Sequence, residues 1–194
     1  MSDYSLEHLN FLIVDDNQHM RRLVRTIIYA LGSKRVMEAS DGADGFKALR
    51  QFPADIIICD WNMSPLDGLD FLRLLRNAED SPNPYVPVIM MTGHTERQHV
   101  LQARDAGVHE FLAKPISARS LYIHIRSIIE HPARFIRCPS YFGPDRRHRQ
   151  AEIGGKNRRR VLPRPAIALG TRLPYDATVS FDRKTIEMGA TTPA

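Results

Sequence analysis

Residues 56–68 read Ile-Ile-Ile-Cys-Asp-Trp-Asn-Met-Ser-Pro-Leu-Asp-Gly, a short apolar run that stops at a carboxylate and gives way to turn residues. Four consecutive apolar side chains, three of them β-branched, are too few for a buried helix and suit a strand covered on both faces. The same signature occurs upstream, where Leu9 to Val14 runs into Asp15-Asp16-Asn17. It recurs downstream, where Val88 to Met91 ends at Thr92, and Glu110-Phe111-Leu112-Ala113 leads into Lys114-Pro115. Val36 to Ala39, before the Asp41-Gly42 turn, completes a set of short strands.

Helical periodicity fills the gaps. Met20, Leu23, Val24, Ile27, Ile28 and Leu31 recur at helical spacing before Gly32, a residue suited to ending a helix. Ala43 to Phe52 is halted by Pro53, and Leu66 to Arg76 carries Leu69, Leu72 and Leu75 on one face. A further helix is expected from about Glu96 to Ala106, closing at Gly107. Ser117 is placed to cap a last one bearing Leu121, Ile125, Ile128 and Ile129. Five strands alternating with five helices predict an α/β fold, a doubly wound parallel sheet with helices on both faces. Chemistry in such sheets gathers at the carboxyl ends of the strands.

Asp15, Asp16, Asp60, Thr92 and Lys114 each sit where a predicted strand meets its following loop, so the fold would assemble them on one rim. Alone, the acid pair is as well explained by the dipole of the helix it precedes, Lys114 by solvation and Thr92 by a turn. Together they ask for more. Three carboxylates on one rim repel each other unless a cation joins them, and an all-oxygen set suits Mg²⁺ better than zinc. A carboxylate beside such an ion can attack a phosphoryl group. Asp60, alone at the end of the central strand, is the natural nucleophile, and the adjacent Asp15 and Asp16 are the metal-holding pair. Lys114 supplies a point charge for phosphoryl oxygens and Thr92 a hydroxyl donor.

These residues, with the segment Asp60 to Gly68 and the Thr92-Gly93 and Lys114-Pro115 steps, resemble the receiver domain of response regulators over about residues 7–130. The resemblance implies a five-stranded, flavodoxin-like sheet in the order 2-1-3-4-5. It makes Asp60 the phosphoacceptor and has Asp15, Asp16, Asp60 and the backbone carbonyl of Asn62 hold Mg²⁺. It assigns Thr92 as the switch hydroxyl, Phe111 as the switch aromatic and Lys114 as the phosphate-pairing cation. The family's usual proline four residues after the acceptor is Ser64 here, followed by Pro65. A small loop change is expected. Phe111 by itself reads equally as core, Cys59 as an inert small hydrophobe, and Trp61 and His94 as flanking groups that tune water access.

The 194-residue chain carries a net charge of +5, which hides an asymmetry. Residues 1–130 hold 14 Lys/Arg against 17 Asp/Glu, and residues 131–194 hold 13 against 5, so the basic character belongs to the tail. That extension, 131–194, is rich in proline, glycine and arginine and is expected to be largely irregular and mostly disordered. Within it, 134–147 interleaves aromatics with arginines. Stacking on single-stranded nucleic acid is one reading, and docking of Tyr141 and Phe142 on the receiver or a partner is the preferred one. The two cysteines lie far apart, excluding a disulfide framework or zinc cluster, and no apolar run approaches a membrane span. A cytoplasmic protein without membrane attachment is expected.

The expected function is phosphorelay signalling. A histidine kinase or phosphotransfer protein donates the phosphoryl group, an unidentified downstream protein reads the result, and the regulator is a monomer or a phosphorylation-dependent dimer. It is not expected to be an enzyme beyond its own phosphorylation and slow hydrolysis. The alternative is a DNA-binding transcription regulator acting through the basic tail, although no recognisable DNA-reading module is present. A haloacid-dehalogenase-like phosphohydrolase fits less well, because Asp60-Trp61-Asn62 on a middle strand does not match that family's DxDx motif after the first strand.

Overall fold

The computed structural model describes residues 5–93, 105–138 and 141–145, and the backbone of 160–161. Most of the expected helix from Glu96, and His94 with it, lies outside the described residues. Its last turn, Asp105–Ala106, is helical and closes at Gly107, whose φ of +96° is the left-handed conformation that glycine adopts without penalty.

Strands β1 (Asn10–Val14), β2 (Arg35–Ala39), β3 (Ile56–Asp60), β4 (Val88–Thr92) and β5 (Glu110–Ala113) form a sheet in the order β2-β1-β3-β4-β5. Every neighbouring pair is parallel. The expected fold is therefore the observed one. Helices α1 (Gln18–Ala30), α2 (Gly42–Leu49), α3 (Gly68–Asn77) and α4 (Ala118–Glu130) cover it.

Alternation along the central strands sorts their side chains onto two faces. Leu12, Val14, Ile57, Cys59, Val88 and Met90 pack with Leu49 of α2 and Phe71, Leu72 and Leu75 of α3. Phe11, Ile13, Ile56, Ile58, Ile89 and Met91 pack with Val24, Ile27 and Ile28 of α1 and Leu121, Ile125 and Ile128 of α4. Because β2 and β3 flank β1 on opposite sides, the chain reverses direction across the sheet between β1 and β3. A crevice opens at their carboxyl ends.

Helix starts are tied to the same end. Asn17 accepts hydrogen bonds from the His19 and Met20 amides, Asp41 from Ala43 and Asp44, and Asp67 from Asp70. Ser117 and Ser120 form a reciprocal capping box at the start of α4. Each cap follows a strand by a few residues, so the loops of the rim are pinned on both sides.

The extension departs from the irregular expectation over its described part. Phe135–Cys138 (β6) and Tyr141–Pro144 (β7) form an antiparallel hairpin, and Arg160–Val161 (β8) adds to the free edge of β6. Proline and glycine obscured this in the sequence, yet Pro144 stands at the end of an edge strand, where its missing N–H costs no ladder bond. Phe135 and Phe142 are buried, each packing edge-on against Tyr85, with their ring centroids 5.5 Å apart. The expected docking on the receiver is thus found for Phe142, with Phe135 beside it, while the Tyr141 hydroxyl donates to the Pro144 carbonyl within the hairpin.

Beneath Phe135 lies Arg76, among the described residues the largest fully buried side chain, its guanidinium 5.3 Å from the ring centroid. It donates to the carbonyls of Pro84 (2.7 Å), Val86 (2.8 Å) and Gly107 (3.2 and 3.3 Å). Burial pulls its pKa down to about 9, with Tyr141 opposing, which still leaves it charged at neutral pH. Its fork therefore holds together the loop that follows α3 and the turn that enters β5.

Phe135→Ala should lower stability by about 3–5 kcal/mol, the cost of emptying a buried aromatic site. Urea unfolding of the full chain measures this, and an unchanged midpoint would mean that the hairpin contributes nothing to the fold.

Candidate functional site

The ends of β1, β3, β4 and β5 carry the residues that the sequence pointed to. Asp15, directly after β1, is fully buried, and its Oδ1 accepts the Asn17 amide at 2.7 Å. Its Oδ2 is buried with no hydrogen-bond partner. Asp60 closes β3 and is 6% exposed, its Oδ1 accepting the Trp61 amide at 2.8 Å. Lys114, one residue past β5, places Nζ 2.9 Å from Asp60 Oδ1 and 3.8 Å from Asp15 Oδ2. Asp16 is exposed at the mouth, and oxygens of Asp15, Asp16 and Asp60 lie within 4.8 Å of one another.

One ammonium therefore faces two of three clustered carboxylates. Burial raises the pKa of Asp15 above the ordinary carboxylate value. The Asn17 amide works against that shift, Asp60 adds to it, Lys114 opposes it and Asp16 adds a little more. Desolvation without full compensation is the cause. An orphaned buried oxygen, two further carboxylates within reach and an all-oxygen donor set fit a hard divalent cation. The cluster can hold a metal ion.

Thr92, at the end of β4, is buried, and its Oγ1 has no hydrogen-bond partner. Its carbonyl accepts the Lys114 amide at 2.8 Å, which ties the ends of β4 and β5 together beside Asp60. Phe111 is half-buried against the core beneath α2 and α3, neither sealed in nor free. Asn62 is exposed in the turn after β3. Cys59 is fully buried, its thiol donating to the Asp60 carbonyl, and burial, then Asp60, Asp15 and Asp67, push its pKa well up. It stays a protonated, apolar filler, as expected.

The sequence showed Asp67-Gly68 as a turn but not why glycine stands there. A Cβ on Gly68 would lie 2.1 Å from the Asp60 carbonyl oxygen. The Gly68 amide also donates to the Trp61 carbonyl at 3.0 Å, so the start of α3 rests directly on the acceptor strand. Only a backbone with no side chain permits that approach.

Residues 11–126 match the response regulator receiver domain family, and both the sheet order and this rim agree with that match. The chain belongs to this family. It is similar to the chemotaxis protein CheY-3 of Vibrio cholerae, with 33% identity over 124 residues covering 64% of this chain and 94% of that protein. Similarity to CheY of Pseudomonas aeruginosa is 34% over 122 residues, covering 63% and 97%. Among solved structures, V. cholerae CheY4 superposes with a TM-score of 0.57 at 25% identity, covering 62% of this chain and 98% of that one. The N-terminal domain of an uncharacterised Wolinella succinogenes protein does so with a TM-score of 0.53 at 32% identity, covering 62% and 92%. This receiver thus belongs to two-component phosphorelay signalling, and the family match ends before the hairpin begins.

Two outcomes follow from the rim. Because the folded-state pKa of Asp15 exceeds its unfolded value, the metal-free receiver binds more protons than the unfolded chain between the two, and loses stability as pH rises through that window. Asp15→Asn should raise the melting temperature of the metal-free protein at neutral pH, by an amount that shrinks as pH falls toward the ordinary carboxylate pKa. Melting curves with chelator at several pH values test this, and a lower melting temperature at neutral pH would refute it. Gly68→Ala should destabilise by at least the roughly 1–3 kcal/mol typical of overpacking, because backbone, not a flexible side chain, must move. Chemical denaturation measures it.

Proposed function

We propose that this receiver accepts a phosphoryl group on Asp60 from a histidine kinase or phosphotransfer protein and passes the signal on through protein contacts. The observation that carries the reading is Lys114 Nζ at 2.9 Å from Asp60 Oδ1, beside two further carboxylates. Asp15, Asp16, Asp60 and the Asn62 carbonyl would hold Mg²⁺. When bound, that ion supplies positive charge to neutralise the oxygens of the phosphoryl group in transfer.

The protein's own groups do the rest. A carboxylate oxygen of Asp60 attacks phosphorus in line with the donor imidazole nitrogen, forming an O–P bond as the N–P bond breaks, and the departing nitrogen takes up a proton. Lys114 moves from pairing with the carboxylate to pairing with a phosphoryl oxygen. The unpartnered Oγ1 of Thr92 is free to donate to another oxygen, which draws the end of β4 inward. Phe111, half-buried on the neighbouring strand, then has room to turn further in, and the face built from β5 and α4 changes shape. The downstream partner is a protein that reads this face, and the regulator acts as a monomer or pairs once phosphorylated. No catalytic turnover beyond its own phosphorylation and slow hydrolysis is proposed.

Action in the cytoplasm is part of this proposal; among the described residues no helix is long and apolar enough to cross a membrane. Duplex-DNA binding through the tail, with its balance of +8, is a second reading that rests on charge alone.

With acetyl phosphate as donor, the parent chain should take label in a Mg²⁺-dependent manner. Asp60→Asn should remain folded and take none above background, and chelator should abolish labelling of the parent. Parental labelling of Asp60→Asn would remove the assignment. Beryllofluoride, a mimic of the phosphoryl group, should change which proteins the full chain captures.

A further inference from the structure

Arg21, in the first turns of α1, reaches back toward the acid pair. Its Nη1 donates to the Asp15 carbonyl at 2.7 Å and lies 3.3 Å from the Asp16 carbonyl. Its Nε donates to Glu38 Oε2 on β2 at 3.2 Å, and Arg25 Nη1 reaches Glu38 Oε1 at 2.8 Å. Nothing in the family match assigns these groups a part in the site.

The two carbonyls belong to the peptide units on either side of Asp16. Asp16 is exposed, so no packing aims its carboxylate, and the direction of its Cα–Cβ bond follows from those two peptide planes. Asp15 has less freedom, being buried and bonded to the Asn17 amide. A single guanidinium fork touching both carbonyls and the β2 carboxylate therefore fixes the part of the rim that burial leaves loose. We infer that Arg21 is a positioning residue for cation binding: clamped by Glu38, it holds the Asp15–Asp16 backbone so that both carboxylates face the ion. The inference rests on the reading of the rim as a Mg²⁺ site.

Charge and position predict opposite signs, which makes the idea testable. Arg21 is a cation near a cation site, so if it acted only through its field, its removal would tighten Mg²⁺ binding. As a clamp, its removal loosens binding. Loss of groups that orient metal ligands commonly costs 10- to 100-fold in affinity. Lysine keeps the charge but lacks the fork that spans carbonyl and carboxylate at once, so it substitutes poorly.

The test is a Mg²⁺ titration of the full chain, followed by fluorescence of Trp61, its single tryptophan, and independently by the Mg²⁺-induced rise in melting temperature. Arg21→Gln should weaken Mg²⁺ binding by about 10-fold or more, with Arg21→Lys recovering only part. Arg22→Gln, the same charge change on the exposed neighbouring residue, should leave affinity close to parental. Glu38→Gln, which loosens the clamp without touching the carbonyls, should weaken binding in the same direction, and because loss of an anion alone does so through its field, the weakening must persist at high salt, where that field is screened; on that condition it serves as the test if Arg21→Gln fails to fold in chelator. Phosphorylation of Arg21→Gln from acetyl phosphate should return toward the parental rate at saturating Mg²⁺, since the defect lies in holding the ion. Binding by Arg21→Gln equal to or tighter than that of Arg22→Gln, or no change in Glu38→Gln, overturns the inference. A parent chain that gives no Mg²⁺ response on either readout removes the metal reading and the inference with it, a result distinct from parental binding that the variants leave unchanged.

Discussion

Three carboxylates held with oxygens within 4.8 Å of one another, two of them paired to one ammonium, are the constraint on which the site depends. Left to themselves such groups would spread apart, and only a rigid frame keeps them together. The frame is the end of the sheet. β1 and β3 are neighbours with parallel register, so Asp15 and Asp60 are delivered side by side, and the Thr92 carbonyl to Lys114 amide bond delivers the lysine opposite them. Gly68 lets α3 begin against the Asp60 backbone, and Asn17 starts α1 while its own amide holds Asp15. The free energy that holds the rim in its repulsive state comes from the two apolar layers beneath it, in which β1, β3 and β4 are buried almost throughout.

The strands and their functional ends were legible because a parallel strand buried on both faces must be nearly all apolar, and its end must then show as an abrupt change. Ile56 to Cys59 followed by Asp60, and Leu9 to Val14 followed by Asp15, state this directly. Lys114 and Thr92 were found by position after a strand, since neither residue type is informative alone. Helix boundaries shifted by one to three residues, and Ser117 capped as expected, with Ser120 completing the box in place of the more usual Glu or Gln.

What stayed hidden depends on contacts between residues far apart in the chain. Arg76 reads as an ordinary helix-end arginine, yet it is buried and bonded to residues up to 31 positions away. Gly68 reads as a turn residue, and its contact with the Asp60 carbonyl exists only once α3 has docked. The hairpin was masked by composition. Phe135, Ile136 and Phe142 are spaced as a strand pair requires, but Pro139, Gly143 and Pro144 are the residues that normally mark irregular chain.

The two ends of the sheet therefore carry different burdens. At the carboxyl end, charge is concentrated and polar atoms are left unpartnered, as at Asp15 Oδ2 and Thr92 Oγ1, so that the rim has capacity to accept a ligand. Beyond the amino ends of β4 and β5, a buried charge, Arg76, gives four hydrogen bonds to the carbonyls of Pro84, Val86 and Gly107 and is sealed under Phe135. A buried guanidinium with its donors spent on backbone is costly to rearrange, because any shift leaves carbonyls or N–H groups unpaired in a dry site. The turn at Gly107 that enters β5 is thereby anchored at its lead-in, while the strand's other end, at Lys114, answers to the rim. The hairpin belongs physically to the receiver, and its Phe135 packs on His109 at the entry to the strand that carries Phe111 and leads to Lys114.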